Sequence, residues 1–246
     1  MPLWRCVSFY LQLSRPEKPE DKERVLTIMN CDFVCQGVCS AARVLLEQGE
    51  TLHMTPGDMI AMDSSLEISS SLSKGGLGGA LTRALSGEKI NIQVISAPNG
   101  SGEIMIAPSL PGEITLKNLA EGEALVLNHG AYMASESTVK MSVTTPKNAV
   151  NALFSGSGLF LQRVEGPGLL LFSSQGSVVH KLLRKGEEYI VDNGNLLAWS
   201  ETVDITMKAA TIGLFGSITS EGLVCSLTGR GDVYIQTRSI PVMPAR

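Results

Sequence analysis

The chain has 246 residues, 43% hydrophobic and only 18% charged, with 25 glycines and few aromatic residues. That balance fits many short strands joined by tight turns and argues against a helical bundle. A net charge of −4 argues against general affinity for nucleic acid or anionic membrane, and no apolar stretch approaches the roughly 20 residues that span a bilayer.

In chain order, residues 1–28 come first. Met1 to Arg15 carries Arg5, Arg15 and no acid, a weak likeness to an organellar transit peptide, whereas Arg15-Pro16-Glu17-Lys18-Pro19-Glu20-Asp21 reads as a solvated linker. The expectation is a disordered extension, with the folded part starting near Met29. The five cysteines and the lack of a secretory context place the chain in a reduced compartment: cytoplasmic, with mitochondrial as the alternative.

From Met29 onward one pattern dominates. Gly-Glu, six residues, Gly, three residues, Ala occurs at Gly49-Glu50 to Ala61, Gly122-Glu123 to Ala134 and Gly186-Glu187 to Ala198. A fixed repeat of this kind predicts a copied module. Leu52, Leu125 and Tyr189 lie three residues after the first Gly; Met54, Leu127 and Val191 lie five after it. An offset of two puts both side chains on one face of a strand. Leu66, Val139 and Val203, each followed two residues later by an apolar residue, predict a second strand. The second Gly marks the turn between the two. Gly100-Ser101-Gly102, Gly166-Pro167-Gly168 and Gly229-Arg230-Gly231 then sit between apolar runs and read as hairpin turns.

The distance from Gly-Glu to Gly-x-Gly is 51, 44 and 43 residues, so the first module carries an insertion, assigned to Gly75-Gly76-Leu77-Gly78-Gly79. Residues 80–85 and 149–154 read as short helix or loop. The expected division is an extension at 1–28, β modules at 29–108, 109–176 and 177–240, and a tail at 241–246. Modules this small leave exposed faces and edges, which stacking and oligomerisation would cover.

Leu46-Glu47-Gln48-Gly49-Glu50, Pro56-Gly57-Asp58-Met59-Ile60-Ala61-Met62-Asp63 and Pro108-Ser109-Leu110-Pro111-Gly112-Glu113-Ile114 resemble the altered-inheritance-of-mitochondria 24 family. This family lies within the tryptophan RNA-binding attenuator protein-like (TRAP-like) superfamily. Gly166-Pro167-Gly168 and Tyr189-Ile190-Val191-Asp192-Asn193-Gly194 extend the likeness, which covers about residues 29–238. The resemblance implies an all-β fold of three tandem TRAP-like modules (shortened double-stranded β-helix or β-sandwich), a trimeric ring, and no established catalytic activity.

Candidates for chemistry are sparse. Cys31, Cys35 and Cys39 have a spacing that could bind zinc or an iron–sulfur cluster, but a fourth ligand is lacking nearby, with only Cys6 and Cys225 elsewhere. The preferred reading is three small apolar side chains on one strand face. His53, His129 and His180 fall in different modules and do not form a cupin-type metal set. Glu50, Glu123 and Glu187 could ring a trimer axis, but each follows a turn Gly, and bonding to the turn backbone is preferred. Lys181, Arg184 and Lys185 read as a solvated strand edge, with no Lys/Arg pair recurring in all three modules as RNA-binding attenuators require. The Gly75 to Gly79 run lacks the Lys-Ser/Thr of a phosphate loop. Asn99-Gly100 reads as a type I′ turn and not a glycosylation acceptor, and Arg230-Gly231-Asp232 as a turn without adhesive meaning.

No catalytic, cofactor-binding or metal-binding residue is assigned. The expectation is a non-enzymatic β-rich scaffold or interaction protein, with a role in mitochondrial or membrane organisation as the family resemblance implies, and with further copies of itself and an unidentified protein as partners. Peripheral membrane association is compatible with this; DNA and RNA are not expected. A small-ligand or RNA-binding regulatory ring is the alternative.

Overall fold

The computed structural model describes residues 29–70, 92–144, 161–212 and 217–239. The expected extension at 1–28, the insertion at 75–79, the helix-or-loop stretches at 80–85 and 149–154, and the tail at 241–246 lie outside the described residues. Within them the chain is all-β, with a single 3-10 turn at Asn193–Asn195 and no α-helix.

The first Gly-Glu segment supplies β1 (Asn30–Cys35), β2 (Ala41–Leu46), β3 (Thr51–Met54), β4 (Met59–Met62), β5 (Glu67–Ser70), β6 (Gln93–Ser96) and β7 (Gly102–Ile106). The second supplies β8 (Ile114–Leu119), β9 (Ala124–Leu127), β10 (Tyr132–Glu136), β11 (Lys140–Thr144), β12 (Leu161–Glu165) and β13 (Gly168–Ser173). The third uses longer strands, β14 (Val178–Asp192), β15 (Leu196–Ser200), β16 (Val203–Ile212) and β17 (Ser217–Gln236). Period-two burial is clear in β2, where Ala42, Val44 and Leu46 face inward, and in β7, where Ile104 and Ile106 do. β9 and β10 lie at the centres of their sheets and are buried along nearly their whole length.

The first and second segments each divide their strands between two sheets, whereas the third lies wholly in one. β1-β2-β7-β4 form a four-stranded sheet; β5-β6-β3-β10-β13-β8 form a six-stranded one; β11-β12-β9-β15-β17-β14 form a seven-stranded one, with β16 also on β17. The six-stranded sheet therefore joins the first segment to the second through β3 and β10. The seven-stranded sheet joins the second to the third through β9 and β15. The two junctions share one register: Met54 faces Ala134 and His53 faces Ser135, as Leu127 faces Ala198 and Val126 faces Trp199. The strand carrying the repeated Ala also bulges at one place in all three copies, between Met59 and Ala61, Tyr132 and Ala134, and Leu196 and Ala198.

The apolar cores follow these junctions. One mixes Val44, Leu52 and Met54 with Met133, Ala134, Leu169 and Leu171. A second mixes Leu125, Leu127 and Phe172 with Leu197, Ala198 and Tyr234, the Phe172 and Tyr234 rings meeting edge to face at 5.0 Å. The third lies in the last segment and takes Val126 and Leu161 from the one before it. Burial of this area is the main stabilising term, at about 25 cal/mol per Å² of apolar surface.

The Gly-x-Gly motifs are not hairpin turns. β6 pairs with β3 and β5, whereas β7 pairs with β2 and β4; β12 and β13 are divided in the same way. In the first two segments the motif is a corner at which the chain crosses between sheets; in the third, β17 runs on through it within one sheet, its pairing passing from β16 to β15. Close approach explains the glycine there: a Cβ on Gly102 would lie 2.7 Å from Leu66, and one on Gly231 would lie 2.6 Å from the Ser200 Cβ. The type I′ expectation at Asn99-Gly100 is likewise corrected, since Gly100 is not among the positive-φ glycines. The first Gly of each repeat does adopt positive φ: 88° at Gly49, 75° at Gly122 and 84° at Gly186.

Candidate functional site

The three repeated glutamates share one local role. The Glu50 carboxylate accepts the Glu47 N–H at 2.8 Å, Glu123 accepts that of Ala120 at 2.9 Å, and Glu187 accepts that of Arg184 at 3.0 Å. Each closes its turn by reaching back three residues, which accounts for Glu directly after the turn Gly.

The cysteine series does not lie on one face. Cys31 is half-buried against the first core, and burial with the Asp32 charge pushes its thiol up to about 12. Cys35 ends β1 beyond a register shift and is exposed; Cys39 lies outside the strand, opposite Gly112, and its carbonyl accepts the Cys35 S–H at 3.1 Å. Cys225 is buried in the third core. Cys6 falls outside the described residues. Among the described residues no group of three His, Cys, Asp or Glu is arranged to hold a metal ion.

The histidines are also separate. His53 sits half-buried in β3, its carbonyl accepting the Tyr132 hydroxyl at 3.2 Å, and burial lowers its pKa. His129 is an exposed turn residue, its N–H donating to Asn128 Oδ1 at 2.8 Å. His180 stacks on Tyr234 with centroids 4.9 Å apart, and its Nε2 lies 2.8 Å from Asp232.

That last contact opens onto a polar cluster between the second and third segments. Lys117 Nζ lies 2.9 Å from Asp232 Oδ2 and 2.8 Å from Glu123 Oε1. Burial alone would lower the Lys117 pKa, but its bonds to Glu123 and Asp232 outweigh this and hold it above the ordinary range. For Asp232, burial is outweighed by bonds from Lys117 and His180, and the carboxyl is held below its usual value. The Asp232 N–H also donates to Ser200 Oγ at 2.9 Å, so the Arg230-Gly231-Asp232 stretch of β17, expected to be a turn, is a strand committed to internal contacts.

Lys117 stands five residues before Gly122, and Lys181 stands five before Gly186. Lys181 meets Glu187 at 2.5 Å, as Lys117 meets Glu123, and lies 5.3 Å from the Tyr189 ring centre. Lys181 lies on the edge strand β14, half-buried and engaged with Glu187, while Arg184 and Lys185 are exposed. The sequence signal for this pair is a two-copy Lys-x5-Glu, which a search restricted to basic residues shared by all three copies passes over.

Two sheet edges complete the site. Among the described residues β4 ends the four-stranded sheet, although its counterparts β10 and β15 are paired on both sides. The 187–192 stretch of β14 borders the seven-stranded sheet, although its counterparts β3 and β9 are paired on both sides. Exposure follows. Ile60 is 55% exposed, whereas Met133 and Leu197 at its position are 1% and 2% exposed. Tyr189 is 37% exposed, whereas Leu52 and Leu125 are fully buried, and Ile190 beside it is 59% exposed.

A family described as mitochondrial biogenesis AIM24 matches residues 34–238. An uncharacterised protein of Streptococcus pyogenes serotype M6 is 32% identical over 204 residues, 79% of this chain and 80% of that protein. The X-ray crystal structure of a Streptococcus pyogenes protein is similar with a TM-score of 0.68 and 29% identity, covering 86% of this chain and 94% of that one.

Proposed function

Because the chain belongs to the mitochondrial biogenesis AIM24 family, we propose that it acts as a non-enzymatic β scaffold: three tandem modules per chain, three chains joined head to tail in a ring. The ring surface docks a protein or membrane partner in mitochondrial or membrane organisation, a role that the family's description as mitochondrial biogenesis supports. The number three is the one the family resemblance implies.

One observation carries this reading. The open edge of β4 and the open edge of β14 are the two halves of a junction that occurs twice within the chain, through β3–β10 and β9–β15. Joining the end of one copy to the start of the next in that register sets Val191 opposite Ala61, Ile190 opposite Met62 and Tyr189 opposite Asp63. It also covers Ile60 and Tyr189, whose counterparts are buried. Unpaired apolar edges are costly to leave open, and a head-to-tail interface that closes leaves none at the seam. No observation favours the RNA-binding alternative, since the recurring lysines 117 and 181 are engaged with carboxylates.

Light scattering coupled to size exclusion tests the reading. The full chain is expected at three chain masses, and Ile60→Lys or Ile190→Lys, each placing an ammonium in the seam, at one. A wild-type chain that stays monomeric at tens of micromolar overturns it.

A further inference from the structure

We infer that the seam between copies is latched by an ion pair between Lys181 of one copy and Glu103 of the next, with Arg43 as the second cation on Glu103. This rests on the head-to-tail reading above and specifies the residues that determine its partner.

Asp232, Leu169 and Glu103 each directly follow the second Gly of a Gly-x-Gly corner. Lys117, Val44 and Lys181 each stand five residues before a Gly-Glu. Sheet register confirms the correspondence: Val44 faces Ile104, Lys117 faces Leu170 and Lys181 faces Val233, in each case the residue after the corner position. Where the first segment meets the second, the two positions hold Val44 and Leu169, both buried in one core. Where the second meets the third, they hold Lys117 and Asp232, 2.9 Å apart. Both internal junctions are thus matched, one apolar with apolar and one cation with carboxylate. At the seam the same positions hold Lys181 and Glu103, a matched pair again.

The neighbours match too. Asp232 bridges Lys117 across the junction and His180 on its own side, 2.8 Å away. Glu103 has the own-side cation in place, since Arg43, at the position of His180, lies 3.3 Å away. Lys181 has its own-side carboxylate, Glu187, as Lys117 has Glu123. The two ends of the chain therefore carry the two halves of a cluster that is complete only at the internal junction. Their exposure fits half-built sites: the Glu103 side chain is 38% exposed and that of Asp232 20%. Charge pairing across a seam favours the correct partner, because like charges or an unpaired buried charge penalise the wrong one.

The test is sedimentation of the full chain as wild type, Glu103→Lys, Lys181→Glu and the double variant. Each single reversal is expected to weaken assembly by about tenfold or more, and the double variant to recover most of the loss. Mixing the two single variants should restore association only in part, because a three-chain ring of the two kinds has two opposite-charge seams and one like-charge seam. Lys181→Met and Glu103→Gln, whose double-mutant cycle must show coupling, serve if the reversed chains fold poorly by circular dichroism. An assembled wild type whose single variants assemble normally, or whose double variant stays as weak as the single ones, overturns the latch and leaves the ring standing. A monomeric wild type overturns the ring reading and the latch with it.

Discussion

The Lys117–Asp232 pair can be tested inside one chain, free of any question about assembly. Lys117→Met keeps most of the side-chain volume and removes the cation; Asp232→Asn keeps the shape and removes the charge. At 2.9 Å, and with an effective dielectric constant of about 20, the gross attraction is roughly 6 kcal/mol. Most of that is offset, because both side chains are only 20% exposed and lose hydration on folding. Exposed pairs yield about 0.2–1 kcal/mol net, whereas breaking a buried pair costs about 3–5 kcal/mol. A one-fifth-exposed pair lies between, so the double-mutant coupling should be about 1–2 kcal/mol.

Urea unfolding at pH 7 for the four proteins of the cycle measures that coupling. The pH dependence has a definite sign. Asp232 titrates below its unfolded value of 3.8 in the folded chain, so its contribution is present above about pH 4 and is lost as pH falls through the folded value. Lys117→Met should flatten that acid limb. A coupling under about 0.3 kcal/mol, or an acid limb unchanged by Lys117→Met, would refute the argument that this cluster holds the second junction together.

Two further outcomes follow from single positions. A Cβ on Gly112 would sit 1.7 Å from the Ser174 carbonyl oxygen, whereas one on Gly100 meets nothing within 4 Å; thermal melts should therefore show Gly112→Ala losing about 3 kcal/mol or more and Gly100→Ala within about 0.5 kcal/mol of wild type. Asp58 is buried, and burial raises its carboxyl from 3.8 to about 6, partly offset by the Ser109 N–H. A raised acid stabilises fully below 3.8 and loses that contribution as pH rises through 6, so Asp58→Asn should match wild type near pH 4 and exceed it by about 1–3 kcal/mol at pH 7.5. Unfolding curves at the two pH values check this, and equal differences at both would count against it.

Much of this architecture was legible in the residues. Leu52 and Met54, and Leu125 and Leu127, turn inward as their spacing predicts. The backbone role of Glu50, Glu123 and Glu187 is also the one their place after a turn Gly implies. The strands carrying Ala61, Ala134 and Ala198 were not legible. They run only four or five residues, and β10 and β15 are buried on both faces, which erases the period-two signal. Reading the Gly-x-Gly motifs as hairpins failed for a related reason. Local sequence reports that the chain turns, but the flanking strands pair with earlier strands and not with each other, β6 with β3 and β5 and β7 with β2 and β4, and that choice leaves no trace beside the turn. Cys31, Cys35 and Cys39 seemed to share a face because the count assumed one continuous strand. The register shift before Cys35 breaks that assumption.

The division of the first two segments between sheets has a consequence for synthesis. When the ribosome has released β3, the strand that will flank it, β10, is still about 80 residues from being made. The six-stranded sheet therefore waits for the second segment, and the seven-stranded sheet waits for the third. Folding advances behind translation by one segment throughout. No truncation at 108 or 176 yields a finished unit, because each cut leaves a central strand with a bare side. Under the head-to-tail ring proposed above, the last stretch of β14 would wait on a second copy, which the ribosome cannot deliver in that chain, and its completion would depend on how many copies the cell holds.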